Sequence, residues 1–153
     1  MQKIAQFFKV SKDKYPHPEH FDDIKLPKRA TIGSAGYDFY APNDIELEPH
    51  QTATVATGIR AKIDEGWVLM LFPRSGLGFK YRLTFNNTVG IIDSDYYFSE
   101  NEGHIHIKFT NGDKSLIIKK GEAFAQGVFV PYGITVDDDC EDIRNGGFGS
   151  TDK

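Results

Sequence analysis

Short runs in which apolar and polar residues strictly alternate recur along the chain: Ile45-Glu46-Leu47, Ile59-Arg60-Ala61-Lys62-Ile63 and His104-Ile105-His106-Ile107-Lys108-Phe109. A period of two places every apolar side chain on one face of an extended segment, so these runs are half-buried β-strands. Residues 67–72, 115–118 and 123–130 are β-branched or aromatic runs bounded by Gly, Pro or charged turns, and they read as further strands. Recurrence at about 8–12 residues belongs to a sandwich, jelly roll or barrel rather than to βαβ units. The chain is therefore expected to be all-β, a jelly-roll-like barrel or sandwich. One short helix is expected over residues 75–83, where Leu77, Lys80 and Tyr81 follow a potential Ser75 cap at three- and four-residue spacing. Residues 11–31, with Tyr15-Pro16-His17-Pro18 and Leu26-Pro27, lack periodicity and are expected to run irregularly over the surface.

At 153 residues, 39% hydrophobic and 26% charged, the chain has the size of one domain, expected to span residues 1–143, with 144–153 as a flexible Gly-rich arm. The apolar run at 67–72 is far short of the roughly 20 residues that cross a bilayer, and the N-terminus lacks a signal-peptide core. No membrane association and a cytoplasmic location are expected. Eighteen basic against 22 acidic residues give a formal charge of -4, with no basic stripe, which disfavours nucleic-acid binding and leaves a small anionic ligand open. The single cysteine, Cys140, and five scattered histidines make no zinc spacing, so any metal would take oxygen ligands. His104 and His106 read as a solvent-facing pair, and Asp137-Asp138-Asp139 as a solvated turn.

Three segments carry chemistry. Pro73-Arg74-Ser75-Gly76-Leu77-Gly78 sets a guanidinium, a hydroxyl and two glycines at a strand-to-helix junction; taken alone it fits an ordinary capped turn with a surface Arg better than an anion cradle. In Gly90-Ile91-Ile92-Asp93-Ser94-Asp95-Tyr96 two carboxylates share a side if the run is extended, so one could serve as a general base; an Asp-rich turn bonded to its own backbone fits as well. Arg144-Asn145-Gly146-Gly147-Phe148-Gly149-Ser150-Thr151 combines mobility, one ring, a cation and two hydroxyls, the parts of a lid over a base and phosphates, or of a solvated tail.

Together with the Gly33 to Ala41 segment, Asn87-Thr88-Val89 and Gly121 to Gln126, these segments resemble in order and spacing, across residues 26–151, the five-motif series of the homotrimeric dUTPases. The resemblance implies a jelly-roll trimer that hydrolyses dUTP to dUMP and pyrophosphate with Mg²⁺, in sites shared among chains. Asp93 resembles the base that activates water, with Gln126 near the α-phosphate. Tyr96 resembles the ring under the deoxyribose, and Asn87 and Gly90 lie where the family reads uracil in a hairpin pocket. Arg74, Ser75 and Gly76 match its phosphate-binding turn. Arg144, Phe148, Gly149, Ser150 and Thr151 match its closing arm, and Asp38 a carboxylate in the water shell of the metal.

The sequence departs from that pattern in four places. Residues 97–103 are about four longer than the usual connection and offer a surface for a protein partner; Ala123 replaces the usual fourth-motif Arg; Arg144 stands one residue closer to Gly146-Gly147; and Asp152 replaces a common Gly. Two other functions fit parts of the pattern: a dCTP deaminase-like enzyme, and a regulatory protein-binding module on the same shell.

Overall fold

The computed structural model describes residues 1–147. Its strands are β1 (Ala5–Lys9), β2 (Lys28–Arg29), β3 (Tyr37–Tyr40), β4 (Ile45–Leu47), β5 (Thr52–Ala56), β6 (Ile59–Ile63), β7 (Trp67–Pro73), β8 (Thr84–Phe85), β9 (Gly90–Ile92), β10 (His106–Thr110), β11 (Leu116–Ile118) and β12 (Ala123–Pro131), with one helix, α1 (Ser75–Tyr81), after β7. All pairings are antiparallel: β2-β3-β12-β7-β9 form one sheet, β5-β10-β8 a second, and β1-β6 and β4-β11 two ribbons. The layers pack as a jelly-roll-like sandwich and do not close into a barrel.

Alternation decides which side chains enter the core. In β6, Ile59, Ala61 and Ile63 are buried while Lys62 is exposed. In β7, Leu69 and Leu71 point inward and join Phe39, Phe109, Phe124 and Ile105, all at most 2% exposed. Phe7 of β1 closes this side, its ring centroid 5.3, 5.7 and 5.6 Å from those of Tyr37, Phe39 and Phe129. The opposite face of the large sheet is apolar too. Val68, Met70 and Phe72 of β7 share it with Val128 and Val130 of β12 and Ile91 of β9, all left partly or fully exposed. A strand that is apolar on both faces is made to be covered on both.

Several local expectations are corrected. The helix ends at Tyr81 rather than at residue 83, because Arg82 turns left-handed (φ 53°) and donates its N–H back to Gly78. Arg74, not Ser75, holds the cap position, without a side-chain bond to the helix. Residues 11–31 are not wholly irregular: 3-10 turns form at Lys12–Lys14 and Pro18–Asp23 before β2. A third 3-10 turn, Ser94–Phe98, means that Asp93 to Tyr96 is not extended.

The histidine pair is not solvent-facing. His104 precedes β10, is 3% exposed, and accepts the Gly58 N–H on Nε2 at 2.8 Å. Burial, with the His106 ring centroid 4.2 Å away, lowers its pKa from 6.5 to about 4. Because the folded value is depressed, the unfolded chain binds this proton first. The stability is fully present above pH 6.5 and is lost as the pH falls toward 4, amounting to about 3 kcal/mol. Thermal melts across this window should show a falling Tm whose slope flattens in His104→Gln, which keeps an acceptor and removes the titration; equal slopes would refute this assignment.

Candidate active site

The turn at residues 86–89 leaves β8, in the second sheet, and enters β9, in the large sheet. It is not a paired hairpin, because β8 pairs with β10 and β9 with β7. Thr88 adopts φ 68°, and the Val89 N–H bonds the Asn87 carbonyl at 2.7 Å, which folds the turn tightly. Between the sheets lies a cavity of about 230 Å³ whose lining includes Asn87, Gly90, Asp93, Tyr96, His106 and Arg144.

Tyr96 is 6% exposed, and its hydroxyl is fully engaged: it donates to the His104 carbonyl at 2.6 Å and accepts from Asn101 Nδ2 at 2.9 Å. Burial raises its pKa above the ordinary phenol value, so the hydroxyl keeps its proton and the ring presents an uncharged surface to the cavity. Asp93, at the cap of the 3-10 turn, makes no side-chain bond to that turn. Its Oδ2 instead accepts from Arg144 Nη2 at 2.7 Å, while Asp95 Oδ1 accepts from Arg144 Nε at 2.8 Å. The two carboxylates meet through one guanidinium, although the backbone between them is not extended. Arg144 Nη1 also donates to the Gly146 carbonyl at 3.0 Å, and a Cβ on Gly147 would stand 2.6 Å from Tyr96 Cε1, so the root of the arm runs directly against the ring.

A second constellation lies elsewhere. The register places Asp38, Gln126 and Phe72 in one row across β3, β12 and β7, and places Tyr37, Gly127, Leu71 and Gly90 in the next row. Adjacent rows face opposite sides of a sheet, so Gln126 and Asp38 are turned away from the face that Leu71 and Gly90 give to the cavity. Asp38 is largely buried, and its Oδ1 accepts from Arg74 Nη1 at 2.7 Å. Gln126 Nε2 donates to the Pro73 carbonyl at 3.2 Å, and a Cβ on Gly36 would come within 2.6 Å of Gln126 Oε1, so only glycine permits that side chain its position. Ser75 and Gly76 open α1 beside Arg74, and a Cβ on Gly76 would meet nothing within 4 Å.

The fold thus gathers Asn87, Gly90, Asp93, Tyr96 and Arg144 in one place, and Asp38, Arg74, Ser75, Gly76 and Gln126 in another, with no member of the second group lining the cavity. Phe148, Gly149, Ser150 and Thr151 lie outside the described residues. Among the described residues no group of three or more His, Cys, Asp or Glu side chains could hold a metal ion. What the sequence did not reveal is the support behind Tyr96, Asn101 and the His104 carbonyl, although the Asn-Glu-Gly turn signal at 101–103 marks where the chain bends back. No helix among the described residues is long and apolar enough to cross a membrane.

Comparison with known proteins bears on this arrangement directly. The dUTPase family model matches residues 22–152. The deoxyuridine 5'-triphosphate nucleotidohydrolase of Lactococcus lactis is 40% identical over 132 residues, covering 84% of this chain and 88% of its own. The dUTPase of Streptococcus mutans superposes with a TM-score of 0.70 at 36% identity, over 84% of this chain and 97% of that one. A mutant dUTPase of Staphylococcus aureus phage phi11, in which a structural Mg(II) ion is coordinated, shares the fold at 22% identity (TM-score 0.67, over 92% and 98% of the chains). With the family model matching residues 22–152 and a relative 40% identical over most of both chains, the chain belongs to the dUTPase family.

Proposed function

We propose that the chain hydrolyses dUTP to dUMP and pyrophosphate, and that the cavity between the sheets holds the deoxyuridine. The observation that carries this reading is the convergence of Asn87, Gly90, Asp93 and Tyr96 on one cavity. Asn87 and the turn backbone offer fixed polar groups to a base edge, a kind of recognition that rejects a mispaired partner strongly. The Tyr96 ring lies flat beneath the sugar. Asp93 takes a proton from water as the water oxygen bonds to the α-phosphorus; the bond to the bridging oxygen breaks, and its electron pair leaves on pyrophosphate. Family membership favours this over the deaminase alternative.

Arg74, Ser75, Gly76 and Gln126 serve the phosphates. Since none of them lines the cavity of their own chain, the site is completed across an interface, Asp93 and Tyr96 from one chain meeting Arg74 and Gln126 from another. The exposed apolar band of Val68, Met70, Phe72, Ile91, Val128 and Val130 supports the assembly, a homotrimer in this reading, because a face of that kind is covered by a partner. A hydrated Mg²⁺ carried on the triphosphate fits the donor set. Asp38 is the one carboxylate of the second constellation, Arg74 already holds one of its oxygens, and Mg²⁺ keeps most of its waters. When bound, the ion would neutralise phosphate charge. Arg144, now on Asp93 and Asp95, transfers to the phosphates as the arm with Phe148, Gly149, Ser150 and Thr151 closes. The protein is expected to work in the cytoplasm.

A pyrophosphate-release assay with dUTP tests the reading. Asp93→Asn should fold, bind dUTP and lose about 10²–10⁴-fold in kcat, whereas Asp95→Asn should lose far less; the reverse ranking would move the base to Asp95.

Truncation after Asp142 should leave the far-UV circular dichroism and oligomer size unchanged and shift Tm by only a few degrees, because the segment removed contributes the Arg144 ion pairs and a contact on Tyr96 but, among the described residues, no member of the buried core. Hydrolysis should fall by orders of magnitude. A truncated chain as active as the full one would show that the arm takes no part.

A further inference from the structure

The turn that follows Tyr96 is held far more firmly than its exposure requires. Glu102 and Gly103 both take left-handed backbone, φ 63° and 69°, and a Cβ on Gly103 would lie 2.6 Å from the Tyr96 carbonyl oxygen. A non-glycine residue in that region is unfavourable and persists only when its surroundings over-determine it. They do so here. The Glu102 carboxylate accepts from Ser11 N and Oγ at 2.7 and 2.6 Å, bonds that hold its pKa below the usual range. From β6, Arg60 donates to the Glu102 carbonyl at 2.7 Å and the Tyr97 carbonyl at 2.8 Å, and its guanidinium stacks 3.7 Å from the Tyr97 ring.

What this anchoring delivers is Asn101. Its Oδ1 accepts the Gly103 N–H at 3.1 Å, and since a backbone N–H can only donate, the amide nitrogen is the group that faces Tyr96. That nitrogen donates to the Tyr96 hydroxyl, which must then direct its own proton to the His104 carbonyl. Every donor in the chain of bonds has one direction. The hydroxyl, the end of the side chain farthest from the backbone, is pinned from two sides, and Tyr96 is among the residues that line the cavity.

We propose that Asn101 is a positioning residue: through the Tyr96 hydroxyl it fixes the plane and depth of the ring, and so sets how strongly the site rejects a ribonucleotide in favour of a deoxyribonucleotide. This rests on the reading of Tyr96 as the sugar platform. Without the Asn101 bond the hydroxyl keeps one partner, and the ring gains freedom to recede from a 2′-hydroxyl.

The test compares kcat/KM for dUTP and UTP in the full-length enzyme. Asn101→Asp, which keeps the size but lacks a donor when ionised, and Asn101→Ser, which is shorter and uncharged, should each lower the dUTP:UTP ratio by about 3- to 10-fold, the weight of one buried hydrogen bond. General loss of folded enzyme scales both substrates equally and leaves the ratio unchanged, so the ratio reports positioning rather than stability. In a Tyr96→Phe background the Asn101 substitutions should change the ratio less than about 2-fold, because the hydroxyl through which they act is gone. If Tyr96→Ala collapses the ratio while both Asn101 variants keep it, the positioning role is overturned and the sugar platform stands. An Asn101 effect of equal size in the Tyr96→Phe background also overturns it. If Tyr96→Ala itself leaves the ratio unchanged, the platform reading fails, and the inference fails with it.

Discussion

Everything at the candidate site depends on one antiparallel register, carried from β3 through β12 and β7 to β9. Gln126 opposite both Asp38 and Phe72, and Leu71 opposite both Gly127 and Gly90, are consecutive rows of that ladder. A slip of one residue would turn Leu69 and Leu71 outward and bring Met70 and Gln126 into the core. The cost of exposing two leucines that are now at most 2% accessible holds the register in place. Site geometry is thus a by-product of core packing: the apolar rows position the polar ones.

The same register explains why the site is divided. Rows on opposite faces of one sheet cannot converge on one small ligand, so in the proposed reading a nucleotide that uses both the cavity and Gln126 lies between copies of the chain. The apolar outer face of β7, β9 and β12 would then have two roles, as the surface that holds the copies together and as the support that brings one constellation against the other. Ion pairs inside the chain prepare each half. Arg74 is held by Asp38, and Arg144 by Asp93 and Asp95. All three carboxylates are partners that an incoming triphosphate would compete with for the guanidinium groups.

Much of the fold was legible in the sequence because alternation is a direct record of which face is buried. The strand at 59–63 follows from it residue for residue, and the β-branched or aromatic runs at 67–72 and 123–130 mark β7 and β12 to within one residue. β1, β2, β3, β5, β8 and β9 were missed: in Ala5-Gln6-Phe7-Phe8-Lys9 the adjacent phenylalanines break the alternation, and Gly90 in β9 hides it. His104 was misread because alternation describes a strand, whereas this residue sits before β10, where the Gly58 N–H rather than the pleat decides its direction. At the site, the residues proposed as reactive stood out through motif spacing. Asn101 did not, since its importance lies in a bond to a hydroxyl five residues earlier that only a left-handed turn makes reachable.

The central claim, that catalysis needs the two constellations from different chains, is tested most directly by mixing two inactive variants. Arg74→Ala and Asp93→Asn proteins, each purified alone, would be unfolded together in equal amounts, refolded, and assayed for pyrophosphate release from dUTP. Random assortment into a head-to-tail ring leaves about a quarter of the interfaces with an intact Arg74 facing an intact Asp93, so the mixture should recover about a quarter of the wild-type rate. A mixture no more active than its separate components would mean that each chain builds its site alone, and would contradict the account.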